Sequence, residues 1–118
     1  MGLLSVLLGA FAAHGLRGVL SVAQLGTWQT GVSYQMYHAL ALMLTGLWLL
    51  RGGPAILKTA GLLFAVGVVA FSGSIYVLVL SSITWVGPVT PLGGLCLICG
   101  WFCLCWAGFA VEDVKDNA

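Results

Sequence analysis

At 118 residues, 61% hydrophobic and 6% charged, the chain is far more apolar than a soluble domain, in which about 25% of residues carry charge. The length suits one domain and leaves no room for a second. Four basic and three acidic residues, with a net charge of +1, exclude a basic nucleic-acid-binding surface.

Residues 1–16 form a short apolar stretch. Within it Ala10-Phe11-Ala12 has the small-x-small form of a signal-peptide cleavage site, but no Lys or Arg precedes the apolar residues, so a retained first helix is expected. At ~1.5 Å per residue it covers ~24 Å, less than a hydrocarbon core of ~30 Å. In the following connection, residues 17–33, Ser21 and Gln24 have the form of a capping box, whose side-chain oxygens take the free backbone N–H groups of a helix start. Val22, Leu25, Trp28 and Val32 fall on one helical face, and Trp28 suits a headgroup layer where its N–H stays wet. The expectation is a short interfacial helix between the first two spans. An irregular loop is the alternative, because Gly18, Gly26 and Gly31 interrupt the stretch.

Three longer runs, residues 34–50, 59–80 and 92–111, contain no Asp, Glu, Lys or Arg. Each has the ~17–25 residues that a bilayer-spanning helix needs. Arg51-Gly52-Gly53-Pro54 breaks the first two apart, and Gly87-Pro88 and Thr90-Pro91 break the last two. Residues 112–118 read as a solvated tail. Four spans place both termini and the second connection on one side, with Arg51, Lys58 and Lys115, against Arg17 alone on the other. The positive-inside rule then puts both termini in the cytoplasm.

With this topology, polar residues from four stretches converge in depth near the outer face. They are His14, the group Tyr34, Gln35 and His38, the group Ser72, Ser74 and Tyr76, and Thr90. Polar groups in hydrocarbon are costly unless they face one another or water, so a shared network or pocket is expected. His38 is expected to reach a polar group from His14, residues 72–76 or residues 90–94. No carboxylate lies in the spans to complete a proton relay, and two histidines are too few for a zinc site. A structural hydrogen-bond network is weighed ahead of a ligand or proton site, with no metal and no cofactor expected.

Gly93, Cys96, Gly100, Cys103 and Ala107 recur at spacings of three and four, with Gly94 beside them. Such a stripe of small side chains lets another helix approach closely, and Gly67, Ala70 and Ser74 form a matching face on the third span. Cys96 and Cys99 make a formal C-x-x-C, but a redox pair needs an accessible, easily ionised thiolate, which an apolar span does not favour. Met1-Gly2 hints at myristoylation, yet Val6 stands where Ser or Thr is expected. There is no phosphate loop, nucleophile–base pair or carboxylate dyad, and the chain is not expected to be an enzyme.

Four segments, GAFAAHGL at 9–16, TGVSYQMYHALALM at 30–43, FSGSIYVL at 71–78, and TPLGG at 90–94 followed by Gly100-Trp101, form a specific set in order and spacing. Together they resemble the small membrane-protein family that includes bacterial YgdD and eukaryotic transmembrane protein 256, a domain of unknown function, over essentially the whole chain. The resemblance implies a four-helix integral membrane protein, in the inner membrane when bacterial, and brings no reaction or cofactor with it. Family members commonly carry an acidic residue near Gln29 and an arginine at Ser33, and this chain has neither.

The reading is therefore all-α: a single membrane domain, residues 1–118, of four transmembrane helices with spans at about 1–16, 34–50, 59–80 and 92–111. The expected role is structural or accessory, in the bilayer, as a homo-oligomer or part of a larger membrane complex. The alternative is a small transporter, channel or lipid- or ligand-binding protein using the polar cluster around His38.

Overall fold

The computed structural model describes residues 1–81 and 83–116, with side chains as far as residue 110. The described residues are all helical apart from their connections. The helices are α1 (Gly2–His14), α2 (Val22–Leu50), α3 (Ile56–Ser81) and α4 (Val89–Asp116), with a 3-10 turn at Thr84–Val86 before α4.

Local chemistry sets most of the boundaries. After α1 the N–H groups of Gly15 and Leu16 both turn back to the Phe11 carbonyl, and Gly18 takes a left-handed φ of +89° to reverse the chain. Ser21 then opens α2 with the expected capping box. Its hydroxyl accepts from the Gln24 N–H at 3.2 Å, and Gln24 Oε1 accepts from the Ser21 N–H at 2.9 Å. Gly52, at φ +83°, makes the turn that stops α2 from running into α3. Pro91 sits in the first turn of α4, where the missing N–H has no intrahelical partner to lose, so the helix starts at Val89 rather than beyond the prolines.

Three expectations are corrected. There is no separate interfacial helix. The box at Ser21 opens one continuous helix of 29 residues that already includes the second apolar run. No proline interrupts residues 22–50, and Gly31 is a contact point rather than a breaker: a Cβ added there would lie 2.9 Å from the Tyr76 ring. Trp28 does not float at a headgroup layer either. It is 1% exposed, packed between α1 and α3, and its Nε1 donates to the Leu8 carbonyl at 3.1 Å. At the other end α4 continues to Asp116, so residues 112–116 of the expected tail are helical; residues 117 and 118 lie outside the described residues.

Two segments are long and apolar enough to cross a membrane, Ile56–Ser81 with mean hydropathy 2.4 and Thr84–Ala110 with 1.9. α2 is as long, but Tyr34, Gln35, Tyr37 and His38 lower the hydropathy of its apolar half. α1 has 13 residues, ~20 Å at ~1.5 Å each.

The helices pack in sequence order. α1 runs antiparallel to the first half of α2, as the contacts of Met1 with Gln35, Ser5 with Val32 and Leu8 with Trp28 require. α3 lies between α2 and α4. Two apolar clusters follow along its length, one of Ala12, Leu16, Trp28, Val32, Ile75 and Val79, the other of Ala41, Ala60, Phe64, Val68 and Leu97. With α1 at one end and the last turns of α4 at the other, the molecule is a slab of 61 × 27 × 17 Å between Cα atoms.

α3 and α4 meet through small residues. A Cβ on Gly93 would run into the α3 backbone at Ala70 and Phe71. One on Gly67 would lie 2.5 Å from Leu97, and one on Gly100 2.8 Å from the Phe64 ring. Ala107 is fully buried on the same side. Cys96 and Cys103 are half-buried at the edge of the contact, and Cys99 and Cys105 are exposed; all four are free thiols. Gly94 lies off the close contact, since a Cβ there would meet only the Phe71 ring, at 3.7 Å.

Gly100→Leu is expected to lower thermal stability in detergent by about 1–3 kcal/mol, the usual cost of overpacking. Gly93→Leu should cost more, because its obstacle is backbone, whereas Gly94→Ala should be close to neutral. Equal melting temperatures for all three variants would refute the assigned contact.

Candidate functional site

The polar residues that hydropathy alone sets at similar depth divide into separate groups. Gln35 ties three helices together: its Nε2 donates to the Met1 carbonyl at 3.1 Å, and its Oε1 accepts from the Tyr76 hydroxyl at 2.8 Å. Ser72 donates to the Gly31 carbonyl at 2.8 Å, across the α2–α3 contact. Ser5, which the sequence did not single out, does the same from α1 to the Val32 carbonyl at 2.8 Å. Ser74 and Thr90 join α3 to α4 at 2.6 Å. Because Ser74 already donates to the Phe71 carbonyl, Thr90 donates to Ser74.

His14 joins none of these. It is exposed at the end of α1 remote from Gln35. The continuous α2 explains why: its extra turns before residue 34 give α1 an antiparallel surface, and the Met1 end of α1, not the His14 end, reaches Gln35. Tyr34 stacks on Phe71 with ring centroids 4.6 Å apart.

His38 also departs from expectation. Its partner is Trp101 on α4, not a residue of 72–76 or 90–94. The ring is 5% exposed, with Nδ1 2.7 Å from the Tyr34 carbonyl and Nε2 3.1 Å from Trp101 Nε1. An indole N–H can only donate, so Nε2 is the acceptor, and Nδ1 carries the hydrogen and donates to Tyr34. That arrangement describes a neutral imidazole with both nitrogens engaged. Phe64 packs against both rings, 5.6 Å from His38 and 5.2 Å from Trp101. The signal for Trp101 was present in the sequence as an indole inside an apolar run, since a buried Trp N–H usually finds a partner.

Every buried side-chain nitrogen and oxygen among the described residues has a hydrogen-bond partner. Among those residues, no three His, Cys, Asp or Glu side chains gather where a metal ion could be held.

Beside His38 lies a groove of about 570 Å³ between α2 and α4. α2 contributes Tyr34, Tyr37 and His38, and Phe71 of α3 lies at its floor. From α4 come Gly94, Leu97, Ile98 and Trp101. Tyr37, Ile98 and Trp101 are exposed, so the groove opens sideways on the surface of the slab. No charged side chain lines it.

A family model described as a protein of unknown function, DUF423, matches residues 8–94, which include His38, Gln35, Ser72, Tyr76, Thr90 and Gly94. The chain belongs to this family. It is 47% identical over 103 residues to the UPF0382 membrane protein SH2409 of Staphylococcus haemolyticus, covering 86% of this chain and 83% of the relative. It is 46% identical over 100 residues to the UPF0382 membrane protein YwdK of Bacillus subtilis, covering 84% and 81%. To the UPF0382 membrane protein SAB0533 of Staphylococcus aureus it is 45% identical over 102 residues, covering 86% and 82%. No solved structure matches. These relatives agree with the resemblance read from the motifs: this DUF423 chain is a small membrane protein of a family without an assigned function. Trp101 lies beyond the part matched by the family model.

His38→Ala is expected to destabilise the DUF423 protein by about 1–3 kcal/mol, because the Trp101 N–H loses its buried partner. Trp101→Phe keeps a ring but removes the donor and part of the indole surface packed on Phe64. A double-mutant cycle of the two, read by thermal unfolding in detergent, should give a coupling of about 0.6 kcal/mol, the average for interhelical hydrogen bonds in a membrane protein, and no more than about 1.7 kcal/mol. Strict additivity would refute the pair.

Proposed function

We propose that this DUF423 protein is a single-domain, four-helix membrane bundle that crosses the bacterial inner (plasma) membrane four times. In this reading it is a structural or accessory component, packing with itself or within a larger membrane complex, and not an enzyme. The observation that carries the reading is the internal use of every buried polar side chain among the described residues, His38 included. Most of these groups hold one helix to another. The close α3–α4 approach at Gly93 and Gly67 rests on the same physics within the chain, since small-residue contacts drive helix association where lipid supplies no hydrophobic force.

For the topology, α2, α3 and α4 supply full-length spans, and the described part of α1 a shorter one. Arg51 and Lys58 flank the α2–α3 turn, Lys115 lies in the last turn of α4, and Arg17 follows α1. The charge bias supports cytoplasmic placement of the α2–α3 turn and the C-terminus; the Met1 end of α1 points the same way and reaches as far as Gln35.

Two measurements test this. In a background without native cysteines, Arg17→Cys should react with an impermeant maleimide added outside, and Ala55→Cys only after permeabilisation. The opposite pattern overturns the orientation. Extracted in native lipid patches, the chain should migrate as an oligomer or in fixed ratio with other membrane proteins identified by mass spectrometry. Recovery of isolated monomers alone would sink the accessory role.

A further inference from the structure

The groove between α2 and α4 is walled by residues that join the helices, His38 to Trp101 and Tyr34 to Phe71, and stays open between them. Its volume of about 570 Å³ falls within the range of small-molecule sites, roughly 300–1,000 Å³. The tight helix contact is made by Gly93. Gly94, one position on, faces the groove with only the Phe71 ring near, 3.7 Å from an added Cβ. Packing does not demand a glycine at 94, and the side chain missing there is part of the open volume.

The lining narrows what can occupy it. With no charged side chain present and a neutral, fully bonded His38, a charged guest would be buried without a counter-charge, which is costly. Apolar surface alone selects nothing in a bilayer, because lipid tails are as apolar as the protein. What the groove offers beyond a lipid tail is rings. Tyr34, Tyr37 and Trp101 are all exposed there, and the two phenols bring hydroxyl groups that both donate and accept. Aromatic faces and edges favour another ring over a flexible acyl chain.

We propose that the α2–α4 groove is a binding site for a neutral, ring-bearing lipophile with a carbonyl or hydroxyl oxygen, entering sideways from the bilayer. The site goes beyond the accessory role and stands or falls independently of it. Benzophenone is a suitable probe, being neutral, two-ringed, carbonyl-bearing and photoreactive. The full chain in phosphatidylcholine nanodiscs is irradiated with benzophenone, and the adducts are mapped by peptide mass spectrometry. Adducts are expected on residues 34–38 and 94–101 in excess over the exposed α3 face of Leu62, Val66 and Val69 by about tenfold, the selectivity of one good aromatic contact. Gly94→Leu should abolish this labelling with an unchanged melting temperature, and Tyr37→Leu, at an exposed position, should weaken it. Excess 4-cyclohexylphenol, neutral, ring-bearing and transparent to the activating light, should suppress the adducts, and excess methyl oleate should not. Uniform labelling of all lipid-facing segments, labelling that survives both variants, or equal suppression by methyl oleate would each overturn the proposal.

Discussion

Gly93 rests directly on the α3 backbone at Ala70 and Phe71, and the rest of α4 is placed by that contact. With no side chain between them, the two helices meet at backbone distance, so α4 cannot slide without driving Leu97 out of its seat over Gly67. From this fixed point the geometry propagates along the helix. Gly100 comes to lie over Phe64, and Trp101 follows, about 12 Å from Gly93 at ~1.5 Å per residue, opposite His38 of α2. The same register leaves Gly94 facing outward from the contact, beside Tyr34 and Tyr37. One close approach therefore decides both a buried hydrogen bond and an open groove.

The second constraint is the continuity of α2. A helix that ran only through the apolar residues 34–50 would end near Tyr34 and leave α1 with nothing to pack on. Because the helix begins at Val22, its first three turns offer α1 an antiparallel partner surface, and Trp28 and Val32 become core residues shared by α1, α2 and α3. Gly31 is where α3 comes closest to α2, and its carbonyl takes the Ser72 hydroxyl beside that contact. Ser5 takes the next carbonyl along, that of Val32, from the α1 side. The polar side chains between the helices thus act as short links to backbone oxygens more than as a network of side chains.

That choice of partners has a functional meaning. An imidazole held between an indole and its own helix has both nitrogens engaged, and a hydroxyl bound to a helix carbonyl has spent its one donor. The groove differs in kind: it is lined by rings, open to the side, and carries hydroxyl groups at exposed tyrosines.

Much of this architecture was readable from local chemistry. The apolar runs at 34–50, 59–80 and 92–111, the capping box at Ser21, the turn at Gly52 and the small-residue stripe at 93–107 all follow from neighbours within a few residues, where spacing and propensity act directly. Other features needed the tertiary structure. Whether Trp28 faces water or core depends on where α1 lies, and that depends on α2 being continuous. The depth argument brought His14 toward residues 34–38 because hydropathy reports distance along the membrane normal and says nothing about which helices adjoin. Pairing of His38 with Trp101, 63 residues apart, and of Gln35 with Tyr76, 41 apart, depends on interhelical register, which is set by where glycine lets two backbones touch. The sequence by itself determined the three long apolar helices, the helix start at Ser21 and which faces are small or polar, because those are local properties of the chain; only packing decided which polar groups meet, because a hydrogen bond requires position and rotation about the helix axis to agree at once.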